Sequence, residues 1–271
     1  MSKDTSDAAV TERGRRVALL LEYDGARFAG SQLQANAITV QGVLEDAILK
    51  ATEEPARVAF AGRTDAGVHA TGQVAAFTTT SRLDCETLQR ATNAWLPEDV
   101  AVREVAEVAS DFDPRRDARR RHYRYVIDSG PARSALNRGR AWRVSGELDV
   151  RSMAQAAACL VGKRDFAAFA SRLEDPTAST VRELYEFRVS KDIASIMIDV
   201  KANAFLPHQV RRMTGALVEV GRGKLSVDDY AAQLEGPPAS AGPAAPPQGL
   251  YLLEVEYETS LFMLDSRSAV C

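Results

Sequence analysis

The chain has 271 residues, 45% of them hydrophobic and 26% charged, with 34 Lys and Arg against 37 Asp and Glu for a net charge of −3. That composition excludes a disordered or collagen-like chain, and at ~150 residues per domain the length predicts one or two domains whose core needs no staple. Cys85, Cys159 and Cys271 are far apart, odd in number and outside any CxxC, which argues against a disulfide framework or a zinc site; no apolar run approaches the roughly 18 residues of a membrane span, and Met1 to Arg16 lacks a signal peptide's apolar stretch. The expected compartment is the cytoplasm.

Residues Val17 to Tyr23 alternate as a strand and run into the Asp24-Gly25 turn. From Gln41 the period changes: Val43, Leu44, Ala47, Ile48 and Ala51 fall on one helical stripe. Arg57 to Ala61 and Gln73 to Phe77 read as strands around a glycine-containing loop. Leu88, Ala91, Thr92 and Trp95 mark a second helix before the strand Val100 to Val108. The order β-α-β-β-α-β is that of a ferredoxin-like unit, an antiparallel sheet with two helices on one face.

The second half repeats the pattern in outline. His122 to Ile127 reads as a strand and Met153 to Val161 as a helix. Val181 to Val189 and Ala194 to Val200 read as a hairpin turning at Lys191-Asp192. Val210, Met213, Leu217 and Val218 mark another helix, and Leu250 to Tyr257 a closing strand. Val227 to Leu234 reads as a short helix capped by Ser226. Gly236 to Gly249, with five prolines, reads as a connecting loop. The predicted fold is α+β, with an N-terminal domain over residues 1–114, a C-terminal domain over 115–271, and antiparallel sheets joined across a central cleft.

The net charge hides a concentration of positive charge. Ten arginines lie between Arg115 and Arg143 against Asp117 and Asp128, a local balance of +8 that leaves −11 for the rest. A planar guanidinium grips phosphates and stacks on bases, so this segment is a candidate nucleic-acid surface, although some of its arginines are expected to pair internally. Arginine also outnumbers lysine 28 to 6 over the whole chain, which genomic base composition explains as readily.

The segment richest in chemistry is Ala61-Gly-Arg-Thr-Asp-Ala-Gly-Val-His-Ala-Thr-Gly-Gln73. Asp-Ala-Gly alone is ordinary turn chemistry. Here, Arg63 and Asp65 are two apart, so a strand continuing to Asp65 would place them on one side, where the cation would hold the carboxylate ionised. Gly62, Gly67 and Gly72 would let a ligand approach the backbone. An ionised aspartate on such a loop is a plausible nucleophile or base.

The run Gly62-Arg-Thr-Asp-Ala-Gly-Val-His-Ala-Thr-Gly-Gln-Val74 closely resembles the signature of the tRNA pseudouridine synthase A (TruA) family. Tyr23 to Gln34 is similar to that family's first-strand motif. Phe112-Asp-Pro-Arg-Arg-Asp117 with Arg121-His-Tyr-Arg-Tyr-Val-Ile127 is similar to the motif entering its second half. Leu160 to Phe166, Ala202 to Leu206 with Val210-Arg211, Val220 to Lys224 and Ala245 to Leu252 are similar to the remaining ones, so the resemblance covers nearly the whole chain. It implies isomerisation of uridine to pseudouridine in the anticodon stem-loop of tRNA, at positions 38, 39 and 40, by a homodimer that needs no cofactor. It implies that Asp65 is the catalytic carboxylate, acting as a nucleophile at the sugar or the base, or as the base that removes the C2′ proton. It further implies that Arg63 and Arg211 hold Asp65 charged and contact the flipped nucleotide's backbone, that the Tyr123 ring stacks on the extruded uracil, and that Leu250 walls the base.

Other readings compete. Tyr123 alone, on a strand, would be expected simply to pack; Tyr125 points the same way and could support it. His69 is assigned to positioning the loop or the RNA, and His122 and His208 stay unassigned. Gly221-Arg-Gly-Lys-Leu-Ser226 lacks phosphate-loop spacing, since Val218 and Leu225 stand where Gly and Ser or Thr would be needed. Asp111-Phe-Asp113 lacks a third ligand spaced for magnesium or calcium. Three positions depart from the family: Ser31 where tryptophan is common, Arg164 where histidine is, and Gln209 where methionine is. These departures are expected to bear on packing and RNA grip rather than on Asp65. The rivals to an isomerase are a non-catalytic RNA-binding module of the same fold and a nucleoside glycosidase, which would need a second acid.

Overall fold

The computed structural model describes residues 14–171, 175 and 177–263. Cys271 and most of the N-terminal segment lie outside the described residues. The first half builds β1 (Arg15–Tyr23), α1 (Val40–Thr52), β2 (Ala59–Phe60), β3 (His69–Thr79), α2 (Cys85–Trp95) and β4 (Val100–Val108). The second builds β5 (Arg120–Asp128), β6 (Trp142–Arg143), α3 (Val150–Cys159), β7 (Gly162–Asp165), β8 (Val181–Asp192), β9 (Ser195–Ala202), α4 (Gln209–Gly221), α5 (Val227–Ala232) and β10 (Leu250–Glu256). No described helix is long and apolar enough to cross a membrane.

The ten strands of the described residues form one sheet, ordered β4-β1-β3-β10-β5-β9-β8-β7, with β2 on β3 and β6 on β5. The run β4-β1-β3 with β2, and the run β10-β5-β9-β8, each have the strand order of a ferredoxin-like unit. They are sewn together by a short parallel pairing, Tyr251 with His69 and Leu252 with Ala70. Gly72 is what lets the seam close: a Cβ there would sit 2.0 Å from the Leu253 carbonyl oxygen. This glycine therefore serves strand packing and not ligand approach.

In the first half Val17, Leu19 and Leu21 of β1 form a core with Leu44 and Ile48 of α1, Phe77 of β3 and Leu88 of α2, all fully buried. A larger core in the second half gathers Tyr125, Ile127, Met153, Leu217 and Tyr230. Four of the described helices carry a side-chain cap: Thr39, Asp84, Asp149 and Ser226, of which Ser226 was expected, each accept a hydrogen bond from a backbone N–H in the first turn of the helix that follows. α4 has none. Its N-cap is His208, whose backbone is left-handed at φ 59°.

Three local readings needed correction. The chain leaves β2 at Phe60 and turns, so Arg63 and Asp65 lie on a loop and not on a continuing strand. The β8–β9 hairpin turns at Ile193-Ala194, because Asp192 still pairs with Ser195. β6 and β7 were not foreseen; the first is two residues long and the second reads Gly-Lys-Arg-Asp, with no apolar alternation to mark it.

Candidate active site

The loop between β2 and β3 carries Asp65, and buried residues of the first-strand segment hold it in place. Ser31 is fully buried; its Oγ accepts from the Thr64 N–H at 2.9 Å, and its own N–H donates to the Thr64 carbonyl at 3.0 Å. Tyr23 shares a 2.8 Å hydrogen bond with the Thr64 hydroxyl, and burial pushes its phenol up to about 12. Gln73 Nε2 donates to the Gly62 carbonyl at 2.8 Å. Gly67, at φ 78°, permits the turn that returns the chain to β3. Ser31, a departure from the family pattern, thus bonds the residue next to Asp65, where the sequence reading expected it to bear on packing and RNA grip.

Asp65 opens into a cavity of about 540 Å³ lined also by Arg63, Tyr123, Arg211 and Leu250, so all five site residues expected from the sequence share one space. Its Oδ2 accepts from Arg211 Nη1 at 2.8 Å. The same oxygen lies 3.4 Å from His208 Nε2. Oδ1 has no hydrogen-bond partner among the described residues. Arg211 is in turn fixed by its Nε–H, which donates to the Ala245 carbonyl at 2.8 Å, and the Ala245 N–H donates back to the Arg211 carbonyl. The proline-rich connection therefore packs against α4 and braces the arginine.

Tyr123 is buried and meets Phe205 edge-on at 5.2 Å. Burial drives its hydroxyl far above the ordinary phenol range, with a further push from Tyr23, so it stays protonated at neutral pH. Tyr125, on the same face, is wholly buried and donates to the Pro246 carbonyl at 2.7 Å, which makes it a support beneath the site. Leu250 faces the cavity from the start of β10. Arg63 lines both this cavity and an adjoining groove of about 1140 Å³ whose walls include Arg57, Arg115, Arg116, Arg119 and Tyr185.

The three histidines separate cleanly. His69 is buried and structural: Nδ1 accepts from the Gly25 N–H at 3.0 Å, Nε2 lies 3.1 Å from the Gly139 carbonyl, and the ring stacks on Tyr251 at 4.8 Å. Burial lowers its pKa despite the nearby Asp24. His122 lies on the opposite face of β5 from Tyr123, 2.8 Å from Asp199. Burial raises the Asp199 pKa, but hydrogen bonds from His122 and Arg124 outweigh it and hold the carboxyl below its ordinary value. His208 is the site residue that the sequence reading left out. Its one cue is its place three residues before Arg211; its left-handed backbone is visible only in the fold.

The arginine-rich segment divides too. Arg121 is buried and donates to the carbonyls of Ala61, Arg115 and Asn203, clamping the two halves beside the cavity. Arg124 and Arg143 pair with Asp199 and Asp128. Arg115, Arg116 and Arg119 are exposed along the groove. Among the described residues, no three His, Cys, Asp or Glu side chains gather to hold a metal ion. A second carboxylate, Asp175, reaches the cavity rim, where Thr177 donates to it from both N–H and hydroxyl and lowers its pKa.

A family profile described as tRNA pseudouridine synthase matches residues 20–116 and 156–258, which include all five site residues except Tyr123. The chain is 44% identical over 245 residues to the tRNA pseudouridine synthase A of Geotalea uraniireducens, covering 90% of this chain and all of the relative. It is 45% identical over 252 residues to that of Chloroflexus aurantiacus, covering 91% and 90%, and 43% identical over 249 residues to that of Neisseria meningitidis serogroup B, covering 91% and 94%. Matches of this length in both halves of the sheet agree with the cavity they enclose, and the chain belongs to the tRNA pseudouridine synthase family.

Proposed function

We propose that this chain isomerises uridine to pseudouridine in the anticodon stem-loop of tRNA, at positions 38, 39 and 40, with Asp65 as the catalytic carboxylate and no cofactor. The observation that carries the reading is Asp65 itself, with Oδ2 tied to Arg211 and Oδ1 open to a cavity shared with Tyr123 and Leu250. The reaction breaks the bond from C1′ to N1 of uracil, turns the freed base, joins C5 to C1′ and removes the C5 proton. Each way of breaking the first bond, by attack on the sugar, attack on the base or removal of the C2′ proton, calls on one positioned carboxylate oxygen. Arg211 holds that carboxylate in place while Arg63 lies at the junction of cavity and groove, where an everted nucleotide's backbone would pass. The Tyr123 ring offers a stacking face, its protonated hydroxyl a hydrogen-bond donor, and Leu250 an apolar wall against which uracil can turn. The groove beside the cavity, with its exposed arginines, suits an RNA stem recognised by shape and phosphates.

The same reading carries three further expectations: residues 1–114 and 115–271 as two domains, action as a homodimer, and work in the cytoplasm, where tRNA is matured. A non-catalytic RNA-binding module would have no use for a carboxylate braced by Arg211. A glycosidase would need a protonated second acid, and the hydrogen bonds from Thr177 favour ionised Asp175 instead.

The test is tritium release from C5-labelled uridine in unmodified tRNA. Asp65→Asn and Asp65→Ala are expected to abolish release while still binding tRNA; turnover by either variant would overturn the assignment.

A further inference from the structure

Arg182 lies near the start of β8 and lines the cavity that Asp65 enters from the other half of the chain. Its Nη1 donates to the carbonyls of Ser179 at 2.8 Å and Val181 at 2.7 Å. Those two bonds fix the guanidinium and occupy one end of it. Nε is enclosed by protein without an acceptor, and among the described residues Nη2 makes no hydrogen bond or ion pair, which leaves it as the donor on the cavity side. Three other cavity arginines differ. Arg211 is matched by Asp65 and Ala245, Arg121 is spent on backbone carbonyls, and Arg115 is exposed.

Burial is the sole influence moving the Arg182 pKa, downward, and no neighbour offsets it. A guanidinium still keeps its charge at neutral pH, so the folded protein holds a partly desolvated cation with unused donors. Such a group is costly until an anion fills it. Uracil is neutral and brings none. The anions that accompany a target uridine into the cavity are the phosphodiesters on its two sides, and a guanidinium N–H makes a charge-assisted hydrogen bond to a phosphate oxygen.

We propose that Arg182 grips a phosphodiester flanking the everted uridine through its Nη2. The grip has a clear use, which rests on the isomerase reading above. Between cleavage of the C1′–N1 bond and formation of the C5–C1′ bond the base is detached, so contacts to uracil cannot hold the ribose. A clamp on the backbone keeps C1′ facing the turning base.

The experiment compares wild type, Arg182→Gln and Arg182→Lys on unmodified tRNA transcripts, and on transcripts in which single phosphates around the target uridine are replaced by neutral methylphosphonates. Arg182→Gln is expected to weaken binding roughly 10- to 100-fold, the range for a lost charged hydrogen bond. It should also reduce the slope of log affinity against log salt by about 1. Arg182→Lys should restore part of the affinity and most of the slope. One methylphosphonate should weaken wild type by a similar factor and leave Arg182→Gln no weaker. A melting scan accompanies each variant. An unchanged salt slope, or methylphosphonate sensitivity in Arg182→Gln equal to wild type at every position, would overturn the proposal, as would a binding loss that follows lost thermal stability. Absence of pseudouridine formation by wild type would instead sink the isomerase reading.

Discussion

Ser31→Ala tests whether the Asp65 loop owes its position to one buried hydroxyl. Ser31 is 0% exposed and Thr64 7%, and the Ser31 Oγ is the acceptor of the Thr64 N–H. Alanine fits the same space and removes only that acceptor, leaving a buried donor unpaired at a cost of about 1–3 kcal/mol. For a chain of this size that corresponds to a fall in Tm of about 2–6 °C. The catalytic effect should be larger than the stability loss suggests. Thr64 adjoins Asp65, and a misplacement of about 1 Å at a reacting group can cost on the order of 100-fold in rate. Single-turnover tritium release at saturating tRNA is therefore expected to slow about 10-fold or more, while the Kd for tRNA changes less than about twofold, because Ser31 does not reach the cavity surface. Ser31→Thr, which keeps an acceptor, should recover much of the rate. A rate unchanged in Ser31→Ala despite the expected Tm loss would refute the reasoning, since the loop would then be held by Tyr23 and Gln73 alone.

His208→Gly and His208→Ala should both slow turnover by removing the imidazole 3.4 Å from Asp65, yet the glycine variant should melt higher than the alanine one, because φ 59° is costly for any residue with a Cβ; equal melting temperatures would refute the strain. The double variant Arg115→Gln, Arg116→Gln should lower the salt slope of tRNA binding by about 2 and leave Tm within about 1 °C, since the Arg116–Asp113 pair is solvent-exposed; an unchanged slope would mean the groove does not carry RNA. His69 resists protonation in the folded state because it is buried, so it contributes stability that is present above about pH 6.5 and lost as pH falls below that value. His69→Gln should flatten the decline seen by urea unfolding between about pH 6.5 and 5, and a decline as steep as wild type would contradict the assignment.

Much of the architecture was legible because the signals are local. A period of two along Val17 to Tyr23, a period near 3.6 from Gln41, and the cap at Ser226 each need only neighbouring residues. The seam was not legible, because the β3–β10 pairing joins residues about 180 apart over two registered positions and depends on a missing Cβ at Gly72. The arginine segment shows another limit. Composition gives +8, but whether a guanidinium faces RNA or an inner carbonyl depends on strand parity and on what lies across the sheet. Arg121 and Arg124 point to opposite faces of β5, one into the junction of the halves and the other toward Asp199. His208 escaped for a similar reason: its role follows from a backbone angle and from the meeting of α4 with a loop 143 positions earlier in the chain.

The seam also explains why the site can be built from two halves and still be exact in its geometry. Asp65 stands four residues before His69, which pairs with Tyr251, and Tyr251 follows Leu250. The carboxylate and the apolar wall are therefore tied through one stretch of paired backbone, with the His69–Tyr251 stack across it. On the far side of the cavity the Arg211–Asp65 ion pair crosses between halves again, and Arg121 does so a third time through Ala61. Three crossings of different chemistry (a strand ladder, an ion pair and a carbonyl clamp) enclose the cavity proposed above as the place where the base is cut free and turned. A hinge between halves at this point would let Asp65 and Tyr123 drift apart by more than a hydrogen bond's length, whereas a continuous sheet holds the two side chains in one frame. The stability of the seam and the rate of the reaction are thus linked through shared residues.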